Sequence, residues 1–195
     1  MRPEILIRNW LLSWFKPDLV TDYNISAKRP LTDKNFSAFI GMFKDEFGGQ
    51  QFDDDEKKTL KEIILKPLSF GSGYPINEKE AIKTGTIYFV GAGWQQSTSH
   101  LGVNYWEGRA GTHIAIVGTT AGSPLNMAET SLLLQVVTAL LLSGRGYFTS
   151  YHMLNPMVTE TLYSQDEANS MEKGFSIRSL TMTYESKRNG VTTNG

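Results

Sequence analysis

The chain contains no cysteine among its 195 residues. Disulfides, thiolate zinc sites and cysteine nucleophiles are therefore excluded, and a disulfide-stapled secreted scaffold with them. Histidine is scarce too. His100, His113 and His152 stand far apart, and no two have the i, i+4 spacing that holds a metal on a helix. No metal or cofactor is expected. Net charge is nearly absent: 19 Lys and Arg against 20 Asp and Glu give −1. No long-range field then draws nucleic acid or an anionic membrane. Long hydrophobic runs are missing as well. The greasiest stretch, Leu132 to Leu142, is interrupted by Gln135 and Thr138 and falls short of the roughly 20 apolar residues that span a bilayer. Near the N-terminus, Arg8 and Asn9 break the run Ile5-Leu6-Ile7, so no targeting segment is expected. The chain reads as soluble, with no membrane partner.

Hydrophobic residues make up 40% and charged residues 20%, enough to fold around a real core. The length fits a single domain over 1–195. Pro3 to Phe15 reads as a helix: Pro3 suits a first turn, and Ile7, Trp10, Leu11 and Trp14 form one stripe that packs on a core. Pro17 ends it. Asp33 to Phe47 reads as a second helix, with Phe36, Phe39, Ile40, Phe43 and Phe47 on one face and Gly48-Gly49 as its stop. Asp53 to Lys66 reads as a third. Its acidic first turn and later lysines match the helix dipole, and the acidic run lacks the spacing of a calcium loop. Residues 68–84 read as a loop separating this helical part from an α+β unit.

That unit runs from Gly85 to Glu185 in the order two strands, one long apolar helix, two strands. Thr86 to Trp94 is a strand in which Gly91 and Gly93 mark a bulge or a close backbone approach. Val103 to Gly118 gives one long strand or two short ones, with Ile114 and Ile116 on one face and His113, Ala115 and Val117 on the other. Asn126 opens the central helix, with Glu129 placed for a capping box. Leu132, Leu133, Val136, Val137, Leu140 and Leu141 cover most of its circumference, so it needs covering on nearly every side, which leans towards an oligomer or a second layer. Gly144 and Gly146 end it. Met157 to Tyr163 and Phe175 to Glu185 are the last strands. In the final one the apolar phase flips near Ser179, as a bulge or burial on both faces would produce. Residues 186–195 form a polar tail expected to be mobile. The fold class is thus α+β: an antiparallel or mixed sheet packed on one long apolar helix, with an additional N-terminal helical segment.

Motifs that carry chemistry are incomplete. The turn from Gly118 to Asn126 links a strand to a helix, as phosphate-binding loops do. It lacks the Lys of a P-loop and the third Gly of a dinucleotide fingerprint. Ser97 or Ser99, His113 and Glu107 supply residue types for a triad but no defined geometry. Tyr88, Trp94, Tyr105 and Trp106 form an aromatic cluster on adjacent strands. With no basic surround it suits an interface better than bases, and sugar binding is a further reading. The chain is not expected to be an enzyme. The alternative is a small ligand-binding or hydrolytic domain using the Gly118–Asn126 turn.

The element order, together with the ending Phe175-Ser176-Ile177-Arg178-Ser179-Leu180-Thr181-Met182-Thr183-Tyr184-Glu185, resembles the tail-terminator and neck (tail-completion) proteins of tailed bacteriophages. The resemblance covers residues 1–15 and about 85–185. It leaves the helical block at 31–67 as an insertion or a decoration on a ring exterior. It implies a non-enzymatic virion protein, assembled in the host cytoplasm as a hexameric ring that ends the tail tube and joins it to neck or connector proteins. DNA in the lumen of such a ring is at most a passive neighbour. The residues expected at the contacts are Trp94, Tyr105, Trp106, His113, Gln135 and Thr138.

Overall fold

The computed structural model describes residues 2–22, 25, 36, 39–41, 52–72, 84–99, 105–120, 125–160 and 174–189; at 94–99, 105–107 and 186–189 it describes the backbone. Helix α1 spans Pro3–Phe15, with Pro3 at its first position and Arg2 extended before it. Ile7, Leu11 and Trp14 are buried, as the stripe predicts, and a short 3-10 turn, Pro17–Leu19, follows. Most of the helix expected over 33–47 lies outside the described residues. Phe36 and 39–41 are helical, and Phe39 is buried in the core.

Helix α2 spans Asp54–Leu65 and begins with a closed capping box. The Asp53 carboxylate accepts the Glu56 N–H at 2.7 Å, and the Glu56 carboxylate accepts the Asp53 N–H at 3.0 Å. Two otherwise unpaired donors are satisfied in this way. Leu60 and Ile63, three residues apart on one face, are buried.

Strand β1, Ser69–Ser72, falls in the stretch expected to be loop. It runs parallel to β2, Thr86–Ser99, from Ser69 opposite Thr86 to Ser72 opposite Phe89. Strand β3 is one unbroken strand, Tyr105–Thr119. Helix α3 spans Met127–Ser143 and α4 spans Arg145–Ser150. Strand β4, Leu154–Glu160, starts before the expected Met157, despite Pro156. Strand β5, Phe175–Asn189, continues four residues past Glu185, so the first part of the expected mobile tail, 186–189, is paired strand; 190–195 lie outside the described residues.

Among the described residues the sheet has five strands in the order β1-β2-β3-β5-β4. Every pairing except β1–β2 is antiparallel, which makes the sheet mixed and the fold α+β. The bulge expected from Gly91 and Gly93 is present: β2 shifts register between Gly91 and Trp94, and Gly93 has φ +86°. The phase flip in β5 has a different cause from a bulge, because β3 and β5 pair without a register shift from Tyr105–Asn189 to Thr119–Phe175. Both faces of β5 are apolar. Leu180, Met182 and Tyr184 enter the main core, whereas Phe175 and Ile177 pack on the opposite face with Tyr88, Ala115 and Val117.

The helices pack on the face carrying Ile87, Phe89, Ile114 and Ile116. One core joins Leu6, Ile7 and Leu11 of α1, Leu60 and Ile63 of α2, and Val136, Val137 and Leu140 of α3. The α2 part of the 31–67 block therefore contributes Leu60 and Ile63 to the same core as the sheet. Of the two covers expected for α3, an oligomer or a second layer, the described residues show the second. Leu133, Leu134, Val136, Val137, Ala139, Leu140 and Leu141 are all buried within a single chain, because α1 and α2 cover what the sheet does not.

Candidate functional site

Strands β2, β3 and β5 run past the described ends of β1 and β4. Among the described side chains, Phe89, Ala110 and Tyr184 are the last along these strands that belong to the main core. Strand β1 ends at Ser72, opposite Phe89, and β4 begins at Leu154, opposite Glu185. Beyond that level, among the described residues, the sheet is three strands wide, with rungs such as Gln96–Gly108–Ser186. From Ala110 to Tyr105 this arm extends roughly 17 Å at about 3.3–3.4 Å per residue.

Three of the six expected contact residues lie on the arm. Trp94 is opposite Ala110, and Trp106 is opposite Ser99 and Arg188. Ala110 and Trp106 are four residues apart on β3, so Trp94, Tyr105 and Trp106 all fall within this three-stranded stretch. Tyr88 does not join them: opposite Ala115, it is buried on the outer face against Ala115 and Val117. The expected aromatic cluster is divided by register into a core member and an arm group.

The other three contact residues are elsewhere. His113 is half-buried on the outer face, its Nδ1 3.2 Å from Thr181 Oγ1. Gln135 and Thr138 belong to α3, on the inner side of the sheet. Gln135 is half-buried, and Thr138 is buried, its hydroxyl donating to the Leu134 carbonyl at 2.9 Å. This i−4 bond satisfies the polar group inside a helix without a neighbour.

The strand-to-helix turn is tied at its base. The Thr119 N–H and hydroxyl both donate to the Leu125 carbonyl, at 2.7 and 3.2 Å. Asn126 and Glu129 form the expected capping box at the start of α3. The carboxylate of Glu129 therefore sits where an incoming anion would be placed, and one of the helix-end amides is already bound by Asn126. Residues 121–124 of the turn lie outside the described residues.

A polar cluster that sequence reasoning missed joins the segment after α1 to α4. Asp22 is 5% exposed, and its Oδ2 accepts the hydroxyls of Tyr147 at 2.6 Å and Tyr151 at 2.7 Å. Burial first, and then the hydrogen bond to Asp22 and its charge, hold the Tyr147 hydroxyl above the ordinary tyrosine range. Trp10 stacks on Tyr147 with centroids 5.3 Å apart and donates Nε1–H to the Leu140 carbonyl at 2.6 Å. The i, i+4 spacing of Tyr147 and Tyr151 was visible in the sequence. Their partner more than 120 residues away was not.

Among the described residues no three His, Asp or Glu side chains are grouped as metal ligands, and no helix is long and apolar enough to cross a membrane. Compared with protein-family models and with curated proteins, the chain matches none.

Proposed function

We propose that the chain is a structural subunit that acts by assembling with its own copies, as tail-terminator and neck proteins of tailed bacteriophages do. In this reading six copies close a ring that ends a tail tube in the virion and joins it to a neck or connector protein. The observation that carries it is the three-stranded arm. Among the described residues, strands β1 and β4 stop opposite Phe89 and Glu185. Strands β2, β3 and β5 continue past that level, and two of the chain's four tryptophans, Trp94 and Trp106, lie on that extension. Tryptophan is enriched where protein surfaces meet.

The sheet edge narrows how copies would meet. Strand β4, at one edge, shifts register between Leu154 and Met157 and carries Pro156 and a positive φ at Asn155. Bulges and prolines at an edge discourage another strand from adding to it. Contact between copies would thus run through the arm and a sheet face, a heterologous contact that closes only by rotation. Arm residues would meet an outer face of the next copy, where His113 lies. The alternative, ligand binding at the 118–126 turn, gains no support from a helix start already occupied by Glu129.

Size-exclusion chromatography with light scattering, followed by negative-stain imaging, tests the proposal. Closed rings of six are expected, and Trp94→Ala with Trp106→Ala should give monomers of unchanged secondary structure. A wild-type protein that stays monomeric at high concentration, alone and with tube or neck partners added, would overturn the reading.

A further inference from the structure

The root of the arm carries an unusual concentration of irregularity on one strand. Strand β2 shifts register twice, between Gly91 and Trp94 and between Gln96 and Thr98, each time gaining one residue on β3. Strands β3 and β5 stay in unbroken register through the same region. Gly91, Ala92 and Gly93 are all exposed. Gly93 needs to be glycine because its φ is +86°. Gly91 does not: its φ is not positive, and a side-chain carbon there would meet only Glu4 Oε2, at 4.0 Å. What glycine contributes at that position is backbone freedom. On the facing strand, Gly111 admits Ala92, since a side-chain carbon at Gly111 would lie 3.2 Å from the Ala92 methyl.

We infer that Gly91–Gly93 is a hinge about which the three-stranded arm swings as a body relative to the five-stranded part of the sheet. The continuous β3–β5 pair carries the arm. When a sheet bends, a flanking strand must change its path length relative to the pair it borders. The extra residue of the bulge and the free torsions of Gly91 let β2 take up that change without breaking its pairing on either side. The hinge needs no neighbouring copy, so it stands or falls separately from the ring assembly.

The absence of cysteine makes the test direct, because introduced cysteines are the only labelling sites. Spin labels at Glu62→Cys on α2 and Gln96→Cys on the arm report swing by pulsed electron resonance. Labels at Glu62→Cys and Thr149→Cys give the width of a core–core distance distribution. Labels at Gln96→Cys and Ser186→Cys, on one rung of the arm, show whether it moves as a unit. The arm–core distribution should be about twice as wide as the core–core one, as expected for a domain-scale motion. The within-arm distribution should stay narrow, and Gly91→Ala should narrow the arm–core distribution by restricting the backbone. An arm–core width equal to the core–core width, a broad within-arm distribution, or no response to Gly91→Ala would overturn the hinge.

Discussion

Lys66 Nζ lies 2.6 Å from Glu129 Oε1, while the other oxygen of the same carboxylate accepts the Asn126 N–H at 2.9 Å. One side chain thus caps α3 and fastens the end of α2 to it. Both partners are mostly buried, with side-chain exposures of 25% and 14%, so the pair is less screened than a surface ion pair. Glu129→Ala removes the cap contact and leaves Lys66 without this partner. It should lower unfolding free energy by about 1–3 kcal/mol. Glu129→Gln keeps an acceptor for Asn126 and should lose less. Urea unfolding of the two variants checks this. A loss below about 0.5 kcal/mol for Glu129→Ala, the range of neutral surface substitutions, would mean that α3 is held without the carboxylate.

Gly118 is held by close approach, not by its torsion angles. A side-chain carbon there would collide with Thr130 Oγ1 and lie 2.7 Å from the Leu125 carbonyl oxygen. The Thr130 hydroxyl is itself fixed by donation to the Asn126 carbonyl at 2.6 Å. Gly118→Ala should therefore destabilise the fold by about 2 kcal/mol or more, as overpacking does. Adding Thr130→Ala should recover part of that loss and not all of it, because the Leu125 carbonyl remains. Thermal unfolding of the single and double variants would show this, and full recovery would mean that the backbone contact relaxes.

What the sequence made legible was local. Pro3 and the Ile7–Leu11–Trp14 stripe define α1, and Asn126 with Glu129 define the start of α3, because capping and amphipathic spacing act within a few residues. The glycines at 91 and 93 announced the bulge by the same logic. Strand β1 was hidden because four residues rich in turn formers become a strand only by pairing with β2. Strand β4 begins three residues before the expected Met157 and takes in Pro156, which an edge strand tolerates. Helix α4 was hidden behind Gly144 and Gly146, read as a stop. For the candidate site, Trp94, Tyr105 and Trp106 were correctly placed on strands, but which of them share a face depends on register. That α3 needs cover on nearly every side was legible, and a second layer was one expected source of it; which segments supply that layer was not, since it depends on how α1 and α2 return to the sheet.

Gly144 shows how tightly that return is packed. It is the C-cap of α3, and a side-chain carbon there would lie 2.7 Å from the Phe148 ring and 2.8 Å from the Trp10 indole. Gly144→Ala should displace the indole from its stack on Tyr147 and from the Leu140 carbonyl. The expected cost is about 1–3 kcal/mol, with a red-shifted tryptophan emission as water reaches the ring. Unchanged emission together with unchanged stability would mean that α4 moves aside instead.

The Tyr147–Asp22–Tyr151 cluster makes a prediction about alkaline pH. The Tyr147 hydroxyl ionises less readily in the fold than in the unfolded chain, through burial and then through its bond to the Asp22 carboxylate. Below the unfolded tyrosine value of about 10, the phenol is neutral in both states and its contribution is fully present. As pH rises past that value the unfolded chain releases the proton while the fold retains it, so stability is lost progressively. Tyr147→Phe removes this term and should make the decline from neutral to strongly alkaline pH shallower, although it starts from a lower stability because Asp22 has lost a donor. Asp22→Asn should also flatten the decline, since it removes the negative charge that opposes ionisation. Urea midpoints measured against pH for the three proteins decide the matter. The chain has eight tyrosines, so the informative quantity is the difference between wild type and Tyr147→Phe. Parallel profiles would mean that Tyr147 titrates alike in the folded and unfolded chains, and that the Asp22 contact does not hold its proton.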